Sequence, residues 1–276
     1  MTERAAILPT SVGPVGAIVS EPEGPPRAAL ILMQGGGPPC RAGVNAVWAR
    51  FAREIAREGI AVLRFDFAGE GESMVAGADV PREVGWRRNT DLAIACELAP
   101  WFRQLTGLDE LLVAGSCHGG RVAFDFAAAD DGVRGTFLVV PYLWNLPPNL
   151  RPDKLAARQK SLPRASELFD HGSSNVREQR RDYGEVEAAT DRSPLEETFV
   201  TSGREMLAGG PGWILIGEGD SQKPLALKRA LGEAGRGLEV EVVADTIIHP
   251  ITHPEIQQLV TDRLRSRLVA AAEQAP

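Results

Sequence analysis

The sequence predicts an α/β domain: a mainly parallel central sheet flanked by helices, with a small helical cap inserted. Short apolar runs rich in β-branched residues alternate with longer stretches of helical periodicity, which is how a parallel sheet with crossover helices reads. The run Leu111–Cys117 is apolar but for Ser116, as a central strand covered on both faces should be. One segment, Leu143 to Gly210, breaks the alternation.

Taken in order, Ala5–Ser20 is interrupted by Gly13-Pro14 and reads as a leading hairpin. Ala29–Met33 reads as a buried strand that ends in Gln34-Gly35-Gly36-Gly37-Pro38-Pro39. Asn45–Glu58 places Val47, Phe51 and Ile55 at helical spacing before a stop at Gly59. Ile60–Phe67 is the next strand and Val84–Leu105 the next helix. Leu111–Cys117 then runs directly into a helix over His118–Ala129. Gly135–Tyr142 and Trp213–Ile216 follow as strands, Lys223–Ala234 as a helix, Leu238–Val243 as the last strand and Pro254–Ala272 as the closing helix. The odd segment is rich in Pro, Arg and Glu, and a structureless loop of that length is unusual inside a compact domain. The expected division is therefore a core of residues 1–142 and 211–276, with a cap over 143–210.

Composition narrows the function classes. The 276 residues are 43% hydrophobic and 24% charged, ordinary for a globular chain. A net charge of −7 argues against nucleic acid as a partner, which needs a concentrated basic face. The densest basic stretch, Arg177, Arg180 and Arg181, is interleaved with Glu178, Asp182 and Glu185, and reads as a solvated helix face. The N-terminus lacks the pattern of a secretory signal, and no uncharged apolar run approaches the ~20 residues that span a bilayer. A cytoplasmic, reducing location without a membrane partner is expected. The three cysteines, Cys40, Cys96 and Cys117, form no zinc pattern. No nucleotide fingerprint or metal-ligand cluster stands out either, so no cofactor and no metal are expected.

The informative residues are Val113-Ala114-Gly115-Ser116-Cys117-His118-Gly119-Gly120. A nucleophile on a sharp strand-to-helix turn needs very small residues two before and two after it, because larger side chains collide across the turn. Centring on Cys117 puts Gly115 and Gly119 there; centring on Ser116 puts Ala114 and His118 there, and a histidine does not fit. Cys117 is the better nucleophile. It also heads a helix, where the free N–H groups and the dipole favour a thiolate.

With the elbow in place, the chain resembles the α/β-hydrolase superfamily, and its cysteine is similar to that of the dienelactone-hydrolase branch. A second stretch carries the likeness. Gly36-Gly37-Pro38-Pro39-Cys40-Arg41-Ala42-Gly43, a helix, and then Val62-Leu63-Arg64-Phe65-Asp66-Phe67-Ala68-Gly69-Glu70-Gly71-Glu72-Ser73 resemble a signature of small bacterial hydrolases linked to polysaccharide export or secondary metabolism. The likeness runs from about residue 28 to 265 and leaves out the cap.

What the resemblance implies for the site follows residue by residue. The superfamily order is nucleophile, acid, histidine. Asp220, closing Gly217-Glu218-Gly219-Asp220, matches the acid, with Glu218 as the alternative. His249 in His249-Pro250-Ile251-Thr252-His253-Pro254 matches the base, with His253 as the alternative. The oxyanion hole is expected from the N–H of His118 and one N–H of the first loop. Pro38 and Pro39 have none to give, which leaves the glycine run, with Gly36 or Gly37 as the expected donor. Asp66 matches a structural position, and Gln34 stands where many relatives carry a histidine.

The expected reaction is acyl chemistry on an ester, thioester or lactone, small or carrier-bound, by hydrolysis or transfer through a covalent acyl-enzyme. Two other classes fit the same pattern: a lyase that expels a carboxylate from an acylated polyketide-type substrate, and a non-catalytic hydrolase-fold receptor.

Overall fold

The computed structural model describes residues 1–35, 40–67, 69–73, 88–143, 195–249 and 251–274. Thr2–Thr10 (β1) and Gly13–Glu21 (β2) form the leading hairpin, turning just before Gly13-Pro14. Along β2, Val15, Ala17 and Val19 are buried, and Ala17–Ser20 pairs antiparallel with Val62–Phe65. The remaining strands are parallel: Ala28–Met33 (β3), Ile60–Phe65 (β4), Leu111–Ser116 (β5), Val133–Val139 (β6), Gly212–Gly217 (β7) and Leu238–Val243 (β8). Together they make one eight-stranded sheet in the order β1-β2-β4-β3-β5-β6-β7-β8.

The continuous apolar runs are explained by helices on both faces. Every residue of β3, β4, β5 and β7 is buried. Ile31, Met33, Leu63, Val113 and Ile214 pack on one side with Phe102 of Arg88–Thr106 (α2), Phe124 of Cys117–Ala129 (α3) and Phe199 of Glu197–Gly209 (α4). Leu30, Leu32, Val62, Leu112 and Leu215 pack on the other with Phe51 and Ile55 of Val47–Arg57 (α1) and Leu264 and Leu268 of Pro254–Glu273 (α6). A shorter helix, Lys223–Ala230 (α5), links β7 towards β8. Among the described residues no helix is long and apolar enough to cross a membrane.

Of the expected insertion over 143–210, residues 144–194 lie outside the described residues. Its final stretch forms α4, which packs against α3 through the tilted Phe124–Phe199 ring pair. Register then positions the site. Met33 pairs with Gly115, and Ser116 pairs with Val139. The carboxyl ends of β3, β5 and β6 therefore meet at one edge, where ligands of open parallel sheets bind.

Candidate active site

Cys117 is the first residue of α3, directly after the last residue of β5, and its φ is 51°. A side chain in this left-handed region is strained, and such strain concentrates at functional sites. The small residues on either side are required by contact. A Cβ on Gly115 would lie 2.3 Å from the carbonyl oxygen of Gly119, and one on Gly119 would lie 2.0 Å from that of Gln34. Gly35 lies against the thiol: a Cβ there would be 3.1 Å from Cys117 Cβ and 3.6 Å from Sγ. Cys117 is partly open to solvent, as a nucleophile must be.

His118 turns its ring away from this turn. Its Nε2 is 2.8 Å from Oδ2 of Asp91 on α2, both side chains are buried, and the ring stands edge-on to Phe67. The ring is thus engaged away from the elbow. Gly36 and Gly37 lie outside the described residues.

The other two expected residues come together in the loops after β7 and β8. The Asp220 carboxylate accepts hydrogen bonds from the backbone N–H groups of Gly217 (2.7 Å), Ile248 (2.8 Å) and His249 (3.1 Å). It thereby pins the His249 loop to the end of β7. Burial pushes the His249 imidazole below its ordinary pKa, and the Asp220 charge opposes that shift without overcoming it. The imidazole is therefore neutral at pH 7 and able to accept a proton.

The alternatives are placed differently. Glu218 is exposed and accepts a hydrogen bond from the backbone N–H of Asp245 at 2.9 Å. His253 is exposed at the start of α6.

Tyr142 joins the two halves of the site. Its backbone N–H donates to the Cys117 carbonyl at 3.3 Å, and its hydroxyl lies 3.0 Å from Nε2 of His249. Sequence reading does not single it out, because a tyrosine at a strand end carries no signal of its own. Nor does it find Asp91, whose partner lies across the α2–α3 interface.

Two further features lie where the chain leaves β3 and β4. Asp66 gathers the loops after β3 and β4, accepting from the backbone N–H of Arg41 (2.8 Å) and Glu72 (3.1 Å) and pairing with the Arg41 guanidinium. Gln34, the residue before Gly35, is buried, and among the described residues neither side-chain polar atom has a hydrogen-bond partner. Among the described residues no group of three or more His, Cys, Asp or Glu could hold a metal ion.

Comparison with known proteins bears on the fold. The family model of the alpha/beta hydrolase fold matches residues 29–174. No curated protein sequence matches. A highly thermostable carboxyl esterase from Bacillus coagulans superposes with a TM-score of 0.62 at 13% identity, covering 99% of each chain. A candidate dienelactone hydrolase from Klebsiella pneumoniae gives 0.61 at 16% identity, covering 99% of this chain and 98% of the other. A lidless a/b serine hydrolase from Xanthomonas campestris gives 0.57 at 17% identity, covering 99% and 94%. At these identities the likeness is one of fold.

Proposed function

Because the chain belongs to the alpha/beta hydrolase fold family, we propose that it is a cysteine-nucleophile acyl hydrolase or acyltransferase in which Cys117, His249 and Asp220 act together. The observation that carries this is the elbow: a partly accessible thiol at the head of α3, in a left-handed conformation, with its carbonyl tied to the residue that contacts His249. Esterases and a candidate dienelactone hydrolase among proteins of the same fold are in keeping with an ester or lactone substrate.

Acylation begins as the Cys117 proton passes to Nε2 of His249 and the sulfur attacks the substrate carbonyl. The carbon–sulfur bond forms, and the carbonyl electrons move onto oxygen. The N–H of His118, with one from Gly36 or Gly37, is the expected partner of that oxyanion. Collapse expels the alcohol or thiol, which takes the proton from His249, and leaves a thioester on Cys117. Water or another acceptor then gives its proton to His249 and attacks the thioester, releasing acid or transferred product and the thiol. Asp220 stabilises the imidazolium in both halves. A working thiol suits a reducing compartment, in line with a cytoplasmic setting.

Intact-protein mass spectrometry after brief incubation with activated esters and thioesters tests this. The wild type should gain one acyl group, mapped to Cys117, and Cys117→Ala should gain none. Turnover with no adduct under rapid quench, releasing a carboxylate without solvent oxygen, would replace this reading with elimination on the same scaffold.

A further inference from the structure

The Tyr142 hydroxyl occupies the very nitrogen that the nucleophile needs. In a neutral imidazole one nitrogen carries hydrogen and the other accepts. With Nε2 of His249 3.0 Å from the phenol oxygen, the tautomer that leaves Nε2 able to take the thiol proton carries its hydrogen on Nδ1. Nε2 is then the acceptor, and the phenol O–H donates to it. That lone pair takes one donor at a time, so the phenol and the Cys117 thiol compete for it.

The backbone around Tyr142 is built to hold it there. Its N–H is bonded to the Cys117 carbonyl at 3.3 Å, and its own carbonyl accepts from Nη1 of Arg121, also on α3, at 3.4 Å. Two residues earlier Val140 has a φ of 43°, strained for a β-branched side chain, and its N–H is fixed on the Leu215 carbonyl at 2.8 Å. The Tyr142 ring is buried and stands edge-on to the His249 imidazole. Space-filling alone would need no hydroxyl at Nε2.

We propose that Tyr142 is a positioning residue of this site: in the free enzyme its hydroxyl holds His249 with Nε2 as acceptor and withholds that nitrogen from the Cys117 thiol, yielding it when an acyl substrate fills the site. The inference rests on Cys117 as nucleophile and His249 as base. Only hydrogen bonds are exchanged. The proton that later moves is the thiol's, from Sγ to Nε2, and the phenol keeps its own. Among the described residues, the titratable groups shown against His249 are Asp220 after β7 and Tyr142 after β6, and Tyr142 is tied in turn to the Cys117 carbonyl at the head of α3. Glu218 is engaged with the N–H of Asp245 instead.

Tyr142→Phe keeps the ring and removes the hydroxyl. Alkylation of Cys117 by iodoacetamide at pH 7, followed by peptide mapping, should accelerate about three- to tenfold as a freed, more basic imidazole pairs with the thiol. The His249 protonation midpoint, read by nuclear magnetic resonance, should rise by about half a unit to one unit, the size of one lost hydrogen bond. An unchanged or slower alkylation rate, or a midpoint that does not move, overturns the proposal. The nitrogen spectrum of the wild type supplies a check that needs no variant: a hydrogen bound to Nε2 in the free enzyme overturns it as well. The two readings also fail separately. If no acyl adduct forms on Cys117 but Tyr142→Phe shifts both readouts, the nucleophile assignment falls and the hold on His249 stands. If the adduct forms and neither readout moves, the reverse holds.

Discussion

Gln34 is an expensive residue to keep where it stands. The residue, just past β3, is 3% exposed, and among the described residues neither Nε2 nor Oε1 has a partner. A buried amide without hydrogen bonds costs about 1–3 kcal/mol. Methionine has similar length and no amide. Gln34→Met should therefore raise the unfolding free energy by about 1–2 kcal/mol in urea denaturation; a loss of stability would show that the carboxamide is satisfied in solution. Such a gain would mark Gln34 as a residue retained against stability next to Gly35, a pattern typical of functional sites. The elbow itself was more legible than Gln34. Small neighbours favour Cys117 over Ser116 as the elbow residue, and the contact that demands them is the backbone of Gly119 against Gly115. That demand acts within a few residues of chain. The satisfaction of Gln34 depends on whatever the fold brings to it, which no local pattern records.

At the scale of elements, Asp66 ties the loop that leaves β3 to the loop that leaves β4. It accepts from the backbone N–H groups of Arg41 and Glu72 and pairs with the Arg41 guanidinium, while its own carbonyl accepts from the Ser73 hydroxyl at 2.8 Å. Its side chain is fully buried, and that of Arg41 is 14% exposed. Removing one partner of a buried pair leaves the other uncompensated, typically at about 3–5 kcal/mol. Asp66→Ala should lose about 3 kcal/mol in chemical denaturation, the lower end because Arg41 keeps some solvent, and Asp66→Asn, which retains one acceptor oxygen, should lose less. Equal losses would mean that the charge and not the backbone acceptance carries the effect. The structural role of Asp66 was readable from its motif, and the strands were readable from their unbroken apolar runs. The helix α4 was not. Its buried residues are Phe199, Gly203 and Met206, a helical spacing whose middle member carries no side chain. A stripe so thin gives little periodic signal inside a charged, proline-rich segment.

For the whole molecule, the sheet brings into one place residues that the chain keeps far apart. Cys117, Asp220 and His249 could each be named from a local motif, but Tyr142 meets His249 across 107 positions, and only the ordering of β5, β6 and β7 makes them neighbours. The loops after β7 and β8 leave His249 half-buried, with a consequence for stability. In the folded chain His249 protonates below its ordinary value of 6.5, chiefly through burial, with Asp220 opposing. As pH falls below about 6.5 the unfolded chain takes up a proton that the native chain does not, so protons favour unfolding. The contribution of neutral His249 is complete above that pH, and it is lost progressively as pH falls towards the depressed native value. The sign follows from the lowered pKa of a basic group: the native state binds fewer protons throughout this window. Melting temperatures of wild type and His249→Gln, taken at fixed ionic strength from pH 7.5 to about 5, isolate this residue, since the other titrating groups are common to both. The wild type should show the steeper fall. Parallel curves would mean that His249 titrates in the native chain as it does in the unfolded one, and that its surroundings leave it as free to take a proton as water does.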